Sequence, residues 1–261
     1  MENLLEFKNN NFAYDINNQF IDFNLGIRKG ETSSLIGPTG SGKTTLLKMI
    51  CHKLPNDCVY YDNILLKDYS ADVLKRKIIV VFDLPFNSKV VETELKYYLK
   101  KLNYTEQEID NRLETIIKYF ELDGLISQKI EKLNIEKKYL VKILRFLIVN
   151  PDFFAIDEIF SILNENDKKK IISYIKENEI TFLNVINNLE DTKYGTRIII
   201  MEKFVNIFEG DTLSVLKTDN IIKRLGFALP PVIDLSIELN HYGVLKKVYT
   251  KKEELVNELW K

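Results

Sequence analysis

The sequence is poor in the residues that usually announce metal, redox or membrane-spanning chemistry. Only two cysteines occur among 261 residues, Cys51 and Cys58, and they show no metal-ligand spacing. No signal-peptide pattern precedes them, so the expected setting is reduced and cytosolic rather than disulfide-forming. Histidine is equally scarce, with His52 and His241 both read as structural or surface residues. An excess of charge is also lacking. Lys+Arg number 37 against 38 for Asp+Glu, a net charge of −1, so nothing attracts a polyanion and nucleic acid is not an expected partner. The most apolar stretches, residues 78–82, 146–149 and 198–201, have the length of strands or core-helix segments. None approaches the ~20 residues of a membrane span, so the chain is not expected to cross a bilayer by itself. What remains is 45% hydrophobic and 29% charged, enough for one large core and a small appendage.

Against that background one loop stands out. Gly37, Pro38, Thr39, Gly40, Ser41, Gly42, Lys43 and Thr44 match the phosphate-binding pattern G-x-x-x-x-G-K-[ST], with Thr45 behind it. Residues 32–36 read as a short buried strand entered by a Lys29-Gly30-Glu31 turn. Residues 44–53 place Leu46, Leu47 and Ile50 at helical spacing, and Leu54-Pro55 ends the run. Strand, glycine loop and helix N-terminus together turn successive N–H groups toward one anion, and the helix dipole adds positive potential. Lys43 is placed to reach the β- and γ-phosphates of a nucleotide, and the Thr44 hydroxyl to hold Mg²⁺.

In chain order, residues 4–14 and 20–27 alternate apolar and polar positions as strands do, around a polar turn at 15–19. Tyr14, just before that turn, is either a core aromatic or a ring on which a base stacks. Residues 58–61 and 77–82 read as further strands, and 91–145 as a long helical region broken near Asn103 and Gly124. Residues 152–158 then form an apolar strand ending in Asp157-Glu158. A buried strand whose exit carries two carboxylates, following an intact phosphate loop, fits a Walker B site. Asp157 would hold Mg²⁺ through water, and Glu158 would polarise the attacking water. The other reading makes both carboxylates metal ligands.

Several of these features, in one order and spacing, resemble the ATP-binding subunits of ABC transporters. The likeness is greatest to the ATPase subunits of energy-coupling factor (ECF) importers for vitamins and metal ions. Tyr14 falls where that family has its adenine-stacking aromatic. Residues 80–85 lie on its Q-loop, with Asp83 at the glutamine position, and residues 91–95 lie on its Q-helix. Leu133-Asn134-Ile135-Glu136-Lys137 is in register with the L-S-G-G-Q signature. Ser161-Ile162-Leu163-Asn164 lies on the D-loop. Residues 186–190 lie on the switch, with Asn187 at its histidine position. Residues 229–235 and 250–256 look like the C-terminal extension that helps two such ATPases stay together. Independently of that likeness, Val232, Leu235 and 237–239 give one helix an apolar side, and Leu255, Leu259 and Trp260 give another.

The resemblance implies a fold and an activity. The fold is α/β, a P-loop NTPase of ABC type. A RecA-like mixed core with an N-terminal antiparallel β segment spans residues 1–211, its helical subdomain lies at about 84–148, and a small helical extension occupies 212–261. The implied activity is binding and hydrolysis of Mg-ATP at the cytoplasmic face of the cell membrane. The partners are a second ATPase, a membrane coupling subunit docking around Asp83 to Leu95, and, indirectly, a substrate-binding membrane subunit. The implied site comprises Tyr14 and residues 37–45 for nucleotide, Thr44, Asp157 and Asp83 for metal, and Lys43, Glu158 and Asn187 for catalysis.

Departures from the family pattern shape the mechanism expected. A signature works by presenting a hydroxyl and glycine N–H groups to the γ-phosphate of the partner's nucleotide. Here Asn134 can cap the helix, but Ile135 adds a β-branched side chain and Glu136 a carboxylate. That charge beside a phosphate repels by on the order of a kcal/mol or more at intermediate dielectric. Asn187 has no titratable proton. Two altered half-sites favour a different second ATPase over an identical one, and activity that is weak in the isolated chain. A non-hydrolysing, ATP-binding structural subunit is the alternative. A P-loop enzyme unrelated to transport is a third reading, and a guanine-reading N-K-x-D motif is absent, because Asn187-Asn188-Leu189-Glu190 does not fit it.

Overall fold

The computed structural model describes residues 2–16, 18–55 and 57–260, apart from the side chain of Asp219. Asn17, within the expected turn at 15–19, lies outside the described residues. So do Met1 and Lys261 at the outer bounds of the expected domains. The elements run β1 (Asn3–Asn10), β2 (Phe23–Arg28), β3 (Thr32–Ile36), α1 (Lys43–Ile50), β4 (Val59–Tyr61), β5 (Ile64–Leu65), α2 (Ala71–Lys77) and β6 (Ile78–Val81). Three helices follow, α3 (Val91–Lys101), α4 (Glu106–Phe120) and α5 (Ile135–Leu147). Then come β7 (Phe153–Asp157), α6 (Glu165–Glu177), β8 (Thr181–Val185), β9 (Arg197–Glu202) and β10 (Val205–Asp211). The tail holds α7 (Thr212–Leu216), α8 (Asp219–Arg224), α9 (Pro231–His241) and α10 (Lys252–Leu259).

The strands form two sheets. One is antiparallel, in the order β2-β1-β4-β5; the other has the order β10-β9-β3-β8-β7-β6 and is parallel except at β10. Every residue of β3 and β8 is buried, as a parallel sheet covered on both faces requires. Leu46, Leu47 and Ile50 of α1 share one core with Leu5, Phe7, Leu25 and Ile27 of the antiparallel sheet and with Leu183 and Val185 of β8. That packing sets α1, and the loop that feeds it, between the two sheets. In the parallel sheet β3 and β7 both flank β8, and β6 lies beside β7. The carboxyl ends of these strands therefore bring residues 37–42, Asp157-Glu158 and Asp83 to one edge, where open α/β sheets bind ligands.

The helical region packs on the other side. Leu95 and Leu99 of α3 and Leu140 and Leu144 of α5 bury with Val81 and Ile156 of the sheet. Local signals fix its helix starts: Thr105 and Glu108 form a capping box, and Asn134 accepts from the Lys137 N–H at 2.9 Å. A fully buried ion pair joins α3 to α5, Arg145 to Glu94 at 2.5 Å. Glu94 also accepts the N–H groups of Asn87 (2.9 Å) and Ser88 (2.7 Å), and Arg145 donates to the Pro85 carbonyl at 3.1 Å. The segment after β6 is thus held by a charge pair whose removal from one side would cost about 3–5 kcal/mol.

Some expectations are corrected in detail. The helix after the phosphate loop stops at Ile50, with His52 left-handed at φ 57 beyond it. The second helical break runs from 121 to 134 rather than lying near Gly124 alone. β5 and α2 were not expected; α2 has Ser70 as its cap and Leu74 as its buried residue. In α9 the buried side is Ile233 and Ser236, whereas Leu235 is exposed. The Ser236 hydroxyl accepts the Tyr249 N–H at 2.7 Å and so draws that face inward. In α10 only Leu255 is buried, leaving Leu259 and Trp260 exposed. Among the described residues no helix is long and apolar enough to cross a membrane.

Candidate functional site

The phosphate loop has backbone geometry that a generic turn would not need. Gly40 and Gly42 are left-handed, at φ 81 and φ 100. A Cβ on Gly37 would lie 2.2 Å from the Met201 carbonyl oxygen, and one on Gly42 would lie 2.9 Å from the Phe204 ring. Both positions therefore exclude a side chain. Lys43 is 6% exposed, and its Nζ donates to the carbonyls of Gly37 (2.6 Å) and Pro38 (3.2 Å). Burial lowers its pKa, opposed by the charges of Glu158 and Asp157. The ammonium is folded back into its own loop, 4.0 Å from the nearer Glu158 oxygen.

The two carboxylates stand where the strand order puts them. Thr44 Oγ1 donates to Asp157 Oδ2 at 3.1 Å, and Asp157 Oδ1 is buried with no partner. Burial raises the Asp157 pKa, with the Thr44 hydrogen bond acting against it. A threonine hydroxyl and an unsatisfied carboxylate oxygen are hard donors that fit Mg²⁺, an ion that takes few protein ligands and completes its shell with water and phosphate. Among the described residues no group of three or more His, Cys, Asp or Glu could hold a metal alone. Glu158 is left-handed at φ 61, its N–H bonded to the Val185 carbonyl at 3.0 Å. A carboxylate residue in that region at a strand exit is locally strained, which is common where a side chain is aimed for function.

A cavity of about 540 Å³ gathers these groups. Residues 39–45 form one wall, Asp83, Asp157 and Glu158 a second, and Tyr14, Asn18 and Phe204 a third. Tyr14 is 51% exposed with its ring edge-on to Phe12 at 4.9 Å, so it is not a core aromatic. Gly37 and Pro38 do not line the cavity and act on it through the carbonyls that hold Lys43. Asn187 is exposed just past β8 and is not among the lining residues. Asp83 does line it, but its carboxylate already pairs with Lys142 and accepts the Tyr139 hydroxyl at 2.9 Å. The Lys142 bond holds its pKa below the usual carboxylate value. A metal at Asp83 would therefore compete with a lysine of α5.

Two relationships were missed by sequence reasoning. The first is Phe204, in the β9–β10 turn, whose N–H donates to the Ser41 carbonyl at 2.9 Å. The second is the fate of the signature-like segment. Glu136 accepts from Asn164 Nδ2 at 3.3 Å, and Lys137 pairs with Asp167 at 2.8 Å. Asn164 caps α6 by accepting the Asp167 N–H at 2.9 Å. The segment is thereby tied to α6 of its own chain. Ile135 beside it is exposed.

A phosphate loop beside a hydrogen-bonded threonine–aspartate corner, on this sheet order, defines a P-loop nucleotide-binding ATPase. More narrowly, the chain belongs to the ABC transporter family, whose model matches residues 20–161. It is an ATP-binding subunit of that class, and the family's characteristic reaction is ATP hydrolysis. A similar full-length relative is the energy-coupling factor transporter ATP-binding protein EcfA1 of Geobacillus kaustophilus, 25% identical, with 99% of this chain and 97% of that protein aligned. The EcfA1 protein of Mycoplasma mobile is also 25% identical, over 84% of each chain. Among solved structures, cbiO1 from Clostridium perfringens, part of the ABC transporter complex cbiONQ, superposes with a TM-score of 0.74. At 22% identity over 87% of this chain and 95% of that one, it shows the shared fold. A dimeric bacterial ABC transporter cassette is 26% identical over 80% of this chain and 98% of its own, with a TM-score of 0.67.

Proposed function

We propose that this chain is the ATPase subunit of an ECF-type importer, binding Mg-ATP and turning it over weakly until paired with a second ATPase. The observation that carries the reading is the corner made by Lys43, Thr44, Asp157 and Glu158 within one cavity, in a chain similar over nearly its whole length to ECF ATPases. Bound Mg-ATP would supply the phosphoanhydride whose cleavage drives uptake of a vitamin or metal ion. Lys43 would leave the Gly37 and Pro38 carbonyls for phosphate oxygens. Thr44 and Asp157 would hold Mg²⁺, Glu158 would orient water, and Tyr14 would stack on adenine.

The partners follow from the same reading. A second ATPase, different rather than identical, would supply a working signature. Residues 1–211 would form the nucleotide-binding domain, and residues 212–261, with Leu235, Leu259 and Trp260 exposed, would contribute to pairing. A membrane coupling subunit would dock around residues 83–95 at the cytoplasmic face, and the substrate-binding subunit would be reached through it. One observation favours the alternative of a non-hydrolysing subunit: Asn187, at the switch position, does not line the cavity.

Calorimetry tests the step that both readings share. Mg-ATP is expected to bind the isolated chain, and Lys43→Ala to abolish binding. Absence of ATP uptake by folded wild-type protein at saturating magnesium would sink both.

A further inference from the structure

The turn between β1 and β2 carries into the nucleotide cavity a polar side chain that belongs neither to the phosphate loop nor to the carboxylate corner. Phe20 donates its N–H to the Phe12 carbonyl at 2.7 Å, and Tyr14 donates to the Asn18 carbonyl at 3.0 Å. Phe20 is buried and meets Phe204 edge-on at 5.0 Å. The base of the turn is therefore anchored in the core, while its tip faces the cavity. Two residues of that tip line it, Tyr14 and Asn18. Asn18 is the one carboxamide of the lining among the described residues.

That carboxamide has a fixed sense. Asn18 Nδ2 donates to Asp15 Oδ2 at 2.8 Å, and the Asn18 N–H donates to Asp15 Oδ1 at 3.0 Å. A carboxylate only accepts, so the amide nitrogen must face Asp15, and turning the amide over would set two oxygens against each other. Asp15 itself does not line the cavity. The Asn18 side chain thus spends its donor on Asp15 and keeps its acceptor, Oδ1, which takes no hydrogen bond among the described residues. An acceptor of fixed orientation beside an exposed aromatic ring can tell one purine from another.

We propose that Asn18, held in one orientation by Asp15, reads the 6-position of the purine stacked on Tyr14. Its Oδ1 accepts from the amino group of adenine and opposes the carbonyl that guanine and hypoxanthine carry there. The inference rests on the Mg-ATP reading above and deepens it by giving base selection a side chain of its own. Stacking on Tyr14 does not supply that selection, because every base offers a π-face. Tyr14 and Asn18 are joined by a single backbone hydrogen bond, so a base lying on the Tyr14 ring has an edge within reach of Asn18. Adenine brings to that edge the donor that Oδ1 lacks. A carbonyl there loses its hydrogen bond to water and gains none in return.

The test titrates the full chain with Mg-ATP and with the magnesium complex of inosine triphosphate. The two nucleotides differ only in the amino or oxo group at the 6-position and the ring proton that accompanies the latter. Wild type is expected to bind Mg-ATP roughly fivefold more tightly, the scale of one neutral hydrogen bond made or lost. Asn18→Ala is expected to abolish the preference, chiefly by weakening Mg-ATP. Asp15→Asn keeps an oxygen for the Asn18 N–H but adds an amide donor, so the Asn18 carboxamide is free to turn over. That variant is expected to bring inosine triphosphate up to the affinity of ATP, a gain that damage to the turn would not produce. Equal wild-type affinities, a preference that survives Asn18→Ala, or one unchanged in Asp15→Asn would each overturn the proposal. Failure of folded wild type to bind either nucleotide would overturn the reading beneath it, and the proposal with it.

Discussion

The backbone N–H of Phe204 donates to the carbonyl of Ser41 at 2.9 Å, fastening the β9–β10 turn to the phosphate loop across more than half the sequence. Phe204 is left-handed at φ 64, as is Lys203 before it at φ 47, in a turn where glycine or asparagine is usual. A phenylalanine there is strained by roughly 1–3 kcal/mol. What offsets the strain is the ring. It meets Phe20 edge-on at 5.0 Å and closes the space beside Gly42, so that the left-handed Gly42 is braced from below.

Replacing that brace should alter affinity and not only stability. Phe204→Leu is expected to keep the fold, to cost about 1–3 kcal/mol, and to weaken Mg-ATP binding several-fold. Phe7→Leu removes an equally buried ring from the same core without touching the loop. It should lower the melting temperature comparably and leave affinity unchanged. Calorimetric Kd values for both, taken well below melting, decide it; equal affinities would leave Phe204 as core filler.

Asp157 gives a pH prediction with a definite sign. Burial raises its folded pKa above the unfolded one, so between the two values the folded chain binds more protons. Stability of the nucleotide-free protein therefore falls as pH rises through that window. Asp157→Asn should melt higher than wild type at neutral pH, on the order of 2 °C for a chain of this size. The difference should disappear in acid, where wild type is protonated. The same variant should lose the magnesium dependence of nucleotide binding. A melting temperature at neutral pH equal to or below that of wild type would contradict the buried-charge account.

These two residues mark the division between what the sequence discloses and what it hides. Asp157 was legible because its strand, its neighbour Glu158 and the upstream loop Gly37–Thr44 each carry a local pattern of fixed spacing. Residues 32–36 and 153–157 were legible as strands for the same reason, being short buried runs between glycine or proline signals. Phe204 was hidden because its role depends on contact with residues some 160 positions earlier, and its turn defies ordinary turn composition. The pairing of Asp83 with Lys142 is also long-range, joining a strand exit to a helix that begins at Ile135. α2 escaped because its seven residues bury only Leu74, too few for a helical period to register. The buried side of α9 was misread because Ser236, a polar residue, faces inward to cap the Tyr249 N–H.

Glu158 offers a separation of binding from turnover. Its carboxylate lines the cavity 4.0 Å from the Lys43 ammonium, too far for a hydrogen bond, and accepts no hydrogen bond among the described residues. Glu158→Gln keeps size and polarity but cannot take up a proton from water. The variant should bind Mg-ATP within about twofold of wild type and lose any residual phosphate release. Turnover that survives the exchange would move the base elsewhere, and Asp83 would be the next carboxylate to examine.

The last prediction concerns the altered half-sites together. Asn187 is exposed beyond β8, and Glu136 accepts from Asn164 at 3.3 Å; in the proposed pairing that carboxylate would face the γ-phosphate of the partner's nucleotide. Removing Glu136 lifts that repulsion, and Asn164 keeps its bond to Asp167 at 2.8 Å, so the α6 cap should survive. Restoring an imidazole at 187 adds a donor that can also carry charge. In a reconstituted complex, Asn187→His with Glu136→Gly should raise ATP turnover roughly tenfold, short of the 10²–10⁴ that a well-placed acid–base group supplies. Under the proposed pairing each single exchange tests one half-site: Asn187→His would act on the nucleotide bound by this chain, Glu136→Gly on the nucleotide bound by its partner. If the pair brings no gain, neither departure limits the reaction, and the weak activity expected of this subunit would have to arise from the Lys142 hold on Asp83.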